Sequence, residues 1–403
     1  MDRVDSNAVL AALRQVVPAG AGPVALHEPE FNGNEWTYVK QCLDDGMVSS
    51  IGSYVDRFER MLADYTGAGH AVAVVNGTAA LHVCLRLVGV QEGEEVLMPA
   101  LTFVATANAV HYCGAMPHFV DSSEKTLGVD PVKLEAYLRE AVTLTSAGCI
   151  NRRSSRRIRA LVVMHTFGHP AELDALTDVC RKFGLELVED AAQSLGSRYQ
   201  GRHVGTWGKA AALSFNGNKI LTTGGGGAIL TADPALAARA RHLTTTAKIP
   251  HRWAYTHDEV GFNYRLPNIN AAIGCAQLEQ LPDFVDRKRR LAELYQQALA
   301  GVGGVHLFHE PAGARSNYWL NALMLDRPGV SARDALLAQT HDHGLYTRPV
   351  WTLMHRLPMY LGCPRTDLSV AERLEASVIN LPSSARLCHA ATMAQTPQQQ
   401  RGA

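Results

Sequence analysis

The chain carries no surplus of charge: lysine plus arginine and aspartate plus glutamate number 38 each in 403 residues. A balanced surface offers no long-range attraction to a polyanion or an anionic membrane, so neither is expected as the main partner. Long uncharged runs are scarce as well. The stretch from Met98 to Val120 has no formally charged side chain, but Pro99, Asn108, Pro117, two histidines and two threonines interrupt it. It reads better as strand end, helix and strand than as a membrane span. The eight cysteines, at 42, 84, 113, 149, 180, 275, 363 and 388, form no C-x-x-C and no zinc spacing. They read as reduced core thiols of a cytoplasmic protein. The opening MDRVDSNAVLAALRQVV mixes acids and arginines through a short apolar run, unlike a signal peptide. G-x-x-x-x-G-K-[ST], G-x-G-x-x-G after the first strand, G-x-S-x-G and H-E-x-x-H are all missing, which sets aside the common nucleotide-loop, hydrolase and metalloprotease signatures. His165 and His169 stand four apart, but Gly168 and Pro170 break the helix a metal pair would need, so no metal is expected.

What remains is an ordinary globular composition, 47% hydrophobic and 19% charged, long enough for about two to three domains. From residue 70 onward, short β-branched runs alternate with helix-period runs. HAVAVVN, EEVLMP, MPHFVD, RALVVMHTFG and LELVED read as strands. TAALHVCLRLVG, FVATANAVHYCG, DPVKLEAYLREAV and ELDALTDVCRKFG read as helices, with Asp130 and Pro131 as N-cap and first helical residue of the third. Near-continuous apolar strands alternating with helices predict an α/β fold with a largely parallel sheet covered on both faces. After Pro267 the pattern becomes two helices, NINAAIGCAQLEQL and FVDRKRRLAELYQQALA, and then an α+β region with a strand in YWLNALML and a helix beginning near Ser331. The expected organisation is an N-terminal extension over 1–25, a large domain over 26–284, a small C-terminal domain over 285–392 and a disordered tail over 393–403. NRRSSRRIR, residues 151–159, holds five arginines. Between a helix and a strand, and without interleaved aromatics, it reads as a solvated loop rather than an anchor for a nucleotide or a polymer.

The chemistry concentrates in residues 187–227. LVEDAAQS ends an apolar strand on Asp190, SFNGNK ends another on Ser214 and brings Lys219 in a polar turn, and ILTTGGGG follows. A carboxylate and a lysine at strand ends, with a hydroxyl and glycines beside them, is what a pyridoxal-phosphate site requires: the lysine for the Schiff base, the carboxylate for the pyridinium nitrogen. Ligands of open α/β sheets bind at that carboxyl edge. Gln193, three residues beyond Asp190, is close enough to help. Asn76-Gly77-Thr78 opens a helix whose free N–H groups suit a phosphate, although an ordinary asparagine cap is the plainer account. Phe103, just past a strand, could cover a ring face or simply belong to the core.

Together these pieces resemble the DegT/StrS family of sugar-nucleotide aminotransferases, from about Pro29 to Ser383. The matching segments are NGTAAL, PALTFVATANAV, VVMHTFGHPAELDAL, VEDAAQSLGSRYQGRHVGTWG, SFNGNKILTTGGGG, GFNYRLPNINAAIG, RPVW and NLPSS, in that order. The resemblance implies the aspartate-aminotransferase fold (fold type I), with a mostly parallel seven-stranded sheet in the large domain and a smaller α+β domain. It implies pyridoxal 5'-phosphate as cofactor, Lys219 as Schiff-base lysine and proton shuttle, Asp190 on the pyridinium and Gln193 by the ring's phenolic oxygen. Gly77, Thr78, Ala79 and Ser214 would hold the phosphate, and Phe103 would stack on the ring. It also implies a homodimer in which Asn263 reaches the neighbouring subunit's cofactor phosphate, with Arg348 near the sugar nucleotide. The partners implied are L-glutamate and a keto-sugar nucleotide. The NGNK turn and the segment before LHEPEFNG look most like members acting on C4 of UDP-4-keto-6-deoxy-N-acetylhexosamines in surface-glycan synthesis. Dehydratases of the family carry histidine in place of the lysine, so Lys219 speaks against that branch. A non-enzymatic regulator on the same fold and a nicotinamide-dependent reductase are the rival readings.

Overall fold

A computed structural model describes residues 4–20 and 22–388. Its centre is a sheet whose long apolar strands are buried on both faces, as their apolar runs require, with a short and largely exposed hairpin over residues 142–151 at one side. In chain order these strands are β1 (His70–Val74), β2 (Glu95–Pro99), β3 (Met116–Val120), β4 (Val142–Thr145), β5 (Gly148–Asn151), β6 (Arg157–Met164), β7 (Glu186–Asp190), β8 (Ala210–Ser214) and β9 (Gly227–Thr231). Seven of them run across the sheet in the order β1-β9-β8-β7-β6-β2-β3. β9 is antiparallel to both neighbours; the β8–β7, β7–β6, β6–β2 and β2–β3 pairs are parallel. The expected seven-stranded, mostly parallel sheet is therefore present.

The helices that cross between strands fall where periodicity puts them: α4 (Gly77–Leu87), α5 (Val104–Tyr112), α6 (Pro131–Ala141) and α7 (Leu173–Phe183), with α1 (Ser6–Val16), α2 (Glu35–Asp44) and α3 (Ser53–Thr66) preceding the sheet and α8 (Pro234–Thr244) following its last strand. Asp130 caps α6 by accepting from the N–H groups of Val132 and Lys133 at 2.9 and 3.0 Å, and Pro131 follows it. One apolar cluster fills the α3, α4, α5 side of the sheet. A second, with Leu134, Leu138, Leu173, Leu176 and Phe183, fills the α6, α7 side.

Two departures from the sequence pattern stand out. The helices read after Pro267 are one 32-residue helix, α9 (Asn268–Leu299), with Pro282 inside it. A proline removes one helical hydrogen bond and normally ends a helix. Here Leu281, Phe284 and Val285 are buried around it, so packing on both sides holds the helix together. The second departure is the β4–β5 hairpin, which pairs with the start of β6 through Cys149 and Ile150. The arginine-rich run thus ends β5, turns through residues 152–156 and begins β6, rather than forming a plain helix-to-strand loop.

Beyond α9 lie β10 (Val305–Leu307), β11 (Asn321–Leu325), α10 (Val330–Asp342), β12 (Arg348–Pro349), α11 (Ser369–Ser377) and β13 (Val378–Leu381). The four strands form a separate antiparallel sheet in the order β10-β11-β13-β12. Val9, Leu13 and Val16 of α1 share a core with Leu291, Leu294 and Tyr295 of α9 and with Leu323 and Leu381 of this sheet. The N-terminal helix is therefore packed rather than appended. The tail over 393–403 lies outside the described residues. No helix among the described residues is long and apolar enough to cross a membrane.

The four-glycine run matters to the fold through Gly227. A Cβ on it would lie 2.6 Å from the backbone carbon and oxygen of Asn76 and 2.8 Å from the nitrogen of Gly77. The start of α4 thus sits directly against β9. Gly227→Ala is expected to push α4 away and cost about 1–3 kcal/mol, as overpacking does; thermal unfolding followed by circular dichroism should show a lower midpoint, and an unchanged midpoint would mean that α4 yields freely.

Candidate active site

β1, β2, β7 and β8 all end at the same edge of the sheet, so whatever follows each of them in sequence is gathered there. The result is a cleft of about 150 Å³ whose lining includes Gly77, Thr78, Phe103, Asp190, Gln193, Ser214 and Lys219. These seven come from four separate chain segments, and all were singled out from the sequence. Ala79 stands just behind them, its N–H donating to Asn76 Oδ1 at 2.8 Å. Asn76 is thus the asparagine cap of the plainer account. The cap leaves the N–H groups of Gly77 and Thr78 without an acceptor among the described residues, at the positive end of α4. A Cβ on Gly77 would meet Ser214 Cβ at 2.8 Å and its Oγ at 3.1 Å. Only glycine lets these N–H groups and that hydroxyl share one small cradle, a donor set suited to phosphate.

The adjacent carboxylates of the VED segment divide their tasks because alternate strand residues face opposite sides of the sheet. Glu189 accepts from His165 Nε2 at 3.1 Å and from the N–H groups of Gly205, Trp207 and Gly208 at 2.6–2.7 Å. Burial would raise its pKa, but the His165 and backbone donors outweigh burial and lower it. It is a structural carboxylate, and its bond accounts for His165. His169 is buried against Phe308 and Tyr318, and burial pushes it down to about 3.

Asp190 is the opposite case. It is buried, and among the described residues only Thr106 Oγ1, at 2.7 Å, and the Ala192 N–H, at 3.2 Å, donate to it. Burial raises its pKa, while those two bonds and the charge of Lys219 pull the other way. A buried carboxylate held toward a cleft with a raised pKa lacks a cationic partner, which a protonated ring nitrogen would supply.

Lys219 faces the same cleft from its turn, where its N–H donates to the Asn216 carbonyl at 3.0 Å. Burial lowers its amine to about 8, with Asp190 acting in the opposite sense. Its Nζ lies 4.1 Å from the centre of the Trp319 ring, and Trp319 Nε1 donates to the Asn218 carbonyl at 2.7 Å. Trp319 is itself fixed by the fully buried Lys288, whose Nζ donates to the Trp319 carbonyl at 3.1 Å and also to that of Ser383. Burial brings Lys288 down to about 7. His27 sits near both lysines; burial first, then their charges, lowers its pKa well below the usual histidine range.

Gln193 is buried and accepts the Phe167 N–H at 2.7 Å, with no acceptor for its own Nε2 among the described residues. Phe103 is half exposed at the head of α5, and its ring centre lies 6.3 Å from that of Trp351. From RPVW, then, it is Trp351 that meets the Phe103 ring, while Arg348 is exposed on β12; neither is among the lining residues. Asn263 is likewise outside this chain's cleft. It is exposed on a segment bridged to Thr245 and continuing to Arg265, which bridges Val74 at the end of β1.

Sequence reasoning did not find Thr106, Trp319, Lys288, Trp351 or His27. Thr106 lies in PALTFVATANAV and Trp351 in RPVW, so the segments were noticed but the residues were not. Nothing local marks Trp319 as a neighbour of Lys219, a hundred residues before it.

Residues 29–394 match the model of the DegT/DnrJ/EryC1/StrS aminotransferase family. The chain is 38% identical over 368 residues to a GDP-perosamine synthase of Caulobacter vibrioides, covering 91% of this chain and 95% of that protein. It is 34% identical over 348 residues to the dTDP-3-amino-3,4,6-trideoxy-alpha-D-glucose transaminase of Streptomyces venezuelae, with 85% of each covered. Among solved structures it is similar to the aminotransferase TlmJ from Streptoalloteichus hindustanus, with a TM-score of 0.80, 31% identity, and coverage of 93% of this chain and 100% of the other. With the cleft built from the same segments that carry the resemblance, the chain belongs to the DegT/DnrJ/EryC1/StrS aminotransferase family.

Proposed function

We propose that this pyridoxal-phosphate-dependent aminotransferase moves an amino group from L-glutamate to the keto carbon of a sugar linked to a nucleoside diphosphate. The observation that carries the reading is Asp190 and Lys219 facing one cleft, the carboxylate raised and the amine lowered by burial, beside free N–H groups at the head of α4. The names of the relatives support a sugar nucleotide, guanosine-linked for one and thymidine-linked for the other. C4 of a 4-keto-6-deoxyhexose is the proposed acceptor position. The uridine-linked N-acetylhexosamine expected from sequence and a guanosine-linked 4-keto-6-deoxyhexose are the substrates to compare.

Pyridoxal phosphate, when bound, supplies an electron-withdrawing ring that stabilises negative charge on the carbon losing its proton. The chain's residues divide the remaining work. Asp190, held by Thr106, would keep a proton on the ring nitrogen. The Gly77 and Thr78 N–H groups and Ser214 Oγ would hold the phosphate, with Ala79 completing the turn. Phe103 would cover a ring face and Gln193 would stand by the phenolic oxygen. Lys219 would provide the attachment and serve as the base that carries the proton to and from the reacting carbon. Its lowered pKa keeps a fraction of the amine neutral near pH 7. L-Glutamate would give up its amino group and leave as 2-oxoglutarate before the keto-sugar enters and takes that group up. The exposed position of Asn263 supports a homodimer in which it serves the partner subunit's cofactor phosphate, and Arg348 serves the sugar-nucleotide phosphates.

Two of the relatives are named as a sensory transduction protein and a pleiotropic regulatory protein, the rival reading. The test that separates the readings is the visible spectrum of the protein supplied with pyridoxal phosphate. A band near the yellow edge that bleaches on adding L-glutamate is the expected result. A band indifferent to glutamate would replace the donor, and no band would end the proposal. Lys219→Ala should lose about 10²–10⁴-fold or more in turnover, the range of a removed acid–base group, and Asp190→Asn most of its activity with the fold intact. Wild-type rates in either variant would remove that residue from its role. The rate at which the cofactor-free protein takes up pyridoxal phosphate should rise with pH and level off above about 8, because only the neutral amine attacks and Lys219 sits there rather than at its ordinary value. A rise that continues toward pH 10 would show an unshifted lysine.

A further inference from the structure

On the opposite edge of the sheet from the catalytic cleft, where β2 and β3 begin, lies a recess of about 810 Å³ between the turn after β5 and the segment 361–365. Arg152, Arg153, Arg156 and Arg365 line it, together with Tyr137 and Leu361. The guanidinium of Arg152 is used internally, bonding Thr143 Oγ1 at 3.1 Å and the Glu140 carbonyl at 3.0 Å. Those of Arg153, Arg156 and Arg365 have neither an ion pair nor a side-chain hydrogen bond among the described residues. The next arginines along the chain are occupied elsewhere: Arg159 bonds the Val88 carbonyl at 2.9 Å, and Arg157 lies 3.9 Å from Glu94. The unpaired charge is therefore confined to one recess and does not extend as a stripe.

The turn that presents Arg153 and Arg156 is anchored by several hydrogen bonds, and Arg365 faces it from the 361–365 segment. Glu95 is buried at the head of β2 and accepts from Asn151 Nδ2 at 2.9 Å, Ser154 Oγ at 2.6 Å and His118 Nδ1 at 2.8 Å. Tyr137 closes the network on His118 Nε2 at 2.9 Å. The turn is also closed by the Asn151 N–H to Arg156 carbonyl bond at 2.9 Å and by the Ser155 N–H to Asn151 carbonyl bond at 2.9 Å. Glu95 is the one acidic side chain in the lining, and its oxygens are committed to these donors. Three guanidinium groups held near one another without a counter-charge repel, and a multivalent anion relieves that repulsion. Planar guanidinium forks match phosphate oxygens in pairs, and several such forks suit a group carrying more than one charge better than a single carboxylate.

We propose that this recess is a second anion site, in which Arg153, Arg156 and Arg365 bind the phosphates of a small di- or polyphosphate and Tyr137 and Leu361 offer a surface for any organic part it carries. The site is separate from catalysis and stands whether or not the substrate assignment above holds. The bounded shape, the single aromatic and the neutral overall charge favour a small phosphate over a nucleic acid strand.

Isothermal titration of the pyridoxal-phosphate-loaded enzyme with inorganic pyrophosphate, and separately with UDP and GDP, tests this. Loading fills the phosphate cradle of the catalytic cleft. Binding that weakens by about tenfold or more in R153A/R156A/R365A, and with rising salt, is the expected result. The loss should also appear, smaller, in R365A alone, which leaves the hairpin turn intact. All three side chains are exposed, so an unchanged thermal unfolding midpoint is expected as the control. A nucleoside diphosphate that binds more tightly than pyrophosphate, by an excess that disappears in R153A/R156A/R365A, identifies a nucleotide as the source of the phosphates; an excess that survives the triple substitution belongs to the substrate cleft, and equal affinities identify a free polyphosphate. No pyrophosphate binding, binding indifferent to the triple substitution, or a clear preference for a single-stranded oligonucleotide would overturn the proposal.

Discussion

The structure turns on a carboxylate that is buried without a cation of its own. Asp190 ends β7 inside the protein, held by one hydroxyl and one backbone N–H, and its pKa is raised because the charged form is short of solvation. A group in that state is costly unless something positive comes to meet it. The rest of the cleft supplies the shape for that something: an amine opposite, free N–H groups at one end and an aromatic ring at the mouth. The neighbouring Glu189, equally buried, shows what a carboxylate with a purely structural task looks like, with four donors converging on it.

The cradle depends on missing side chains as much as on present ones. Gly77 lies so near Ser214, and Gly227 so near the backbone of Asn76, that a methyl group at either would force α4 out of place. Those two contacts bring a helix N-terminus and a strand-end hydroxyl together without any side chain between them. The second layer is equally specific. Thr106 orients Asp190, and Trp319, clamped by Lys288 and by the Asn218 carbonyl, sits over the Lys219 amine. Two lysines, the buried Lys288 used as a structural donor and the half-buried Lys219 facing the cleft, are both lowered by desolvation.

The two edges of the sheet carry different chemistry. At the carboxyl edge, charges are few, buried and shifted. At the amino edge, beside β2 and β3, three exposed guanidinium groups are unpaired among the described residues, two of them on a turn anchored to the buried Glu95. The hairpin that shapes this second edge was not legible. Its strands are four residues each, and the Ser146-Ala147 turn between them has none of the Asn-Gly or Asp-Gly character that marks a two-residue hairpin. Pro282 misled in the other direction, since a proline argues for a helix break that buried neighbours on both sides prevented.

The sequence by itself determined the alternating strands and helices and the burial of the sheet on both faces, because parallel strands between two helix layers must be apolar along their whole length. It also determined Asp190 and Ser214 as strand-end residues, Lys219 as a residue of the turn that follows, Gly77 and Thr78 as a helix start, and Phe103 as a residue just past a strand. All of these are local facts about where an element stops. Only the tertiary structure decided that Trp319 covers Lys219, that Thr106 holds Asp190, that Trp351 rather than Arg348 approaches Phe103, and that Arg365 joins Arg153 and Arg156 around one recess. Each of these brings together residues distant in the chain, and the order of strands across the sheet, which no local periodicity encodes, sets which of them meet.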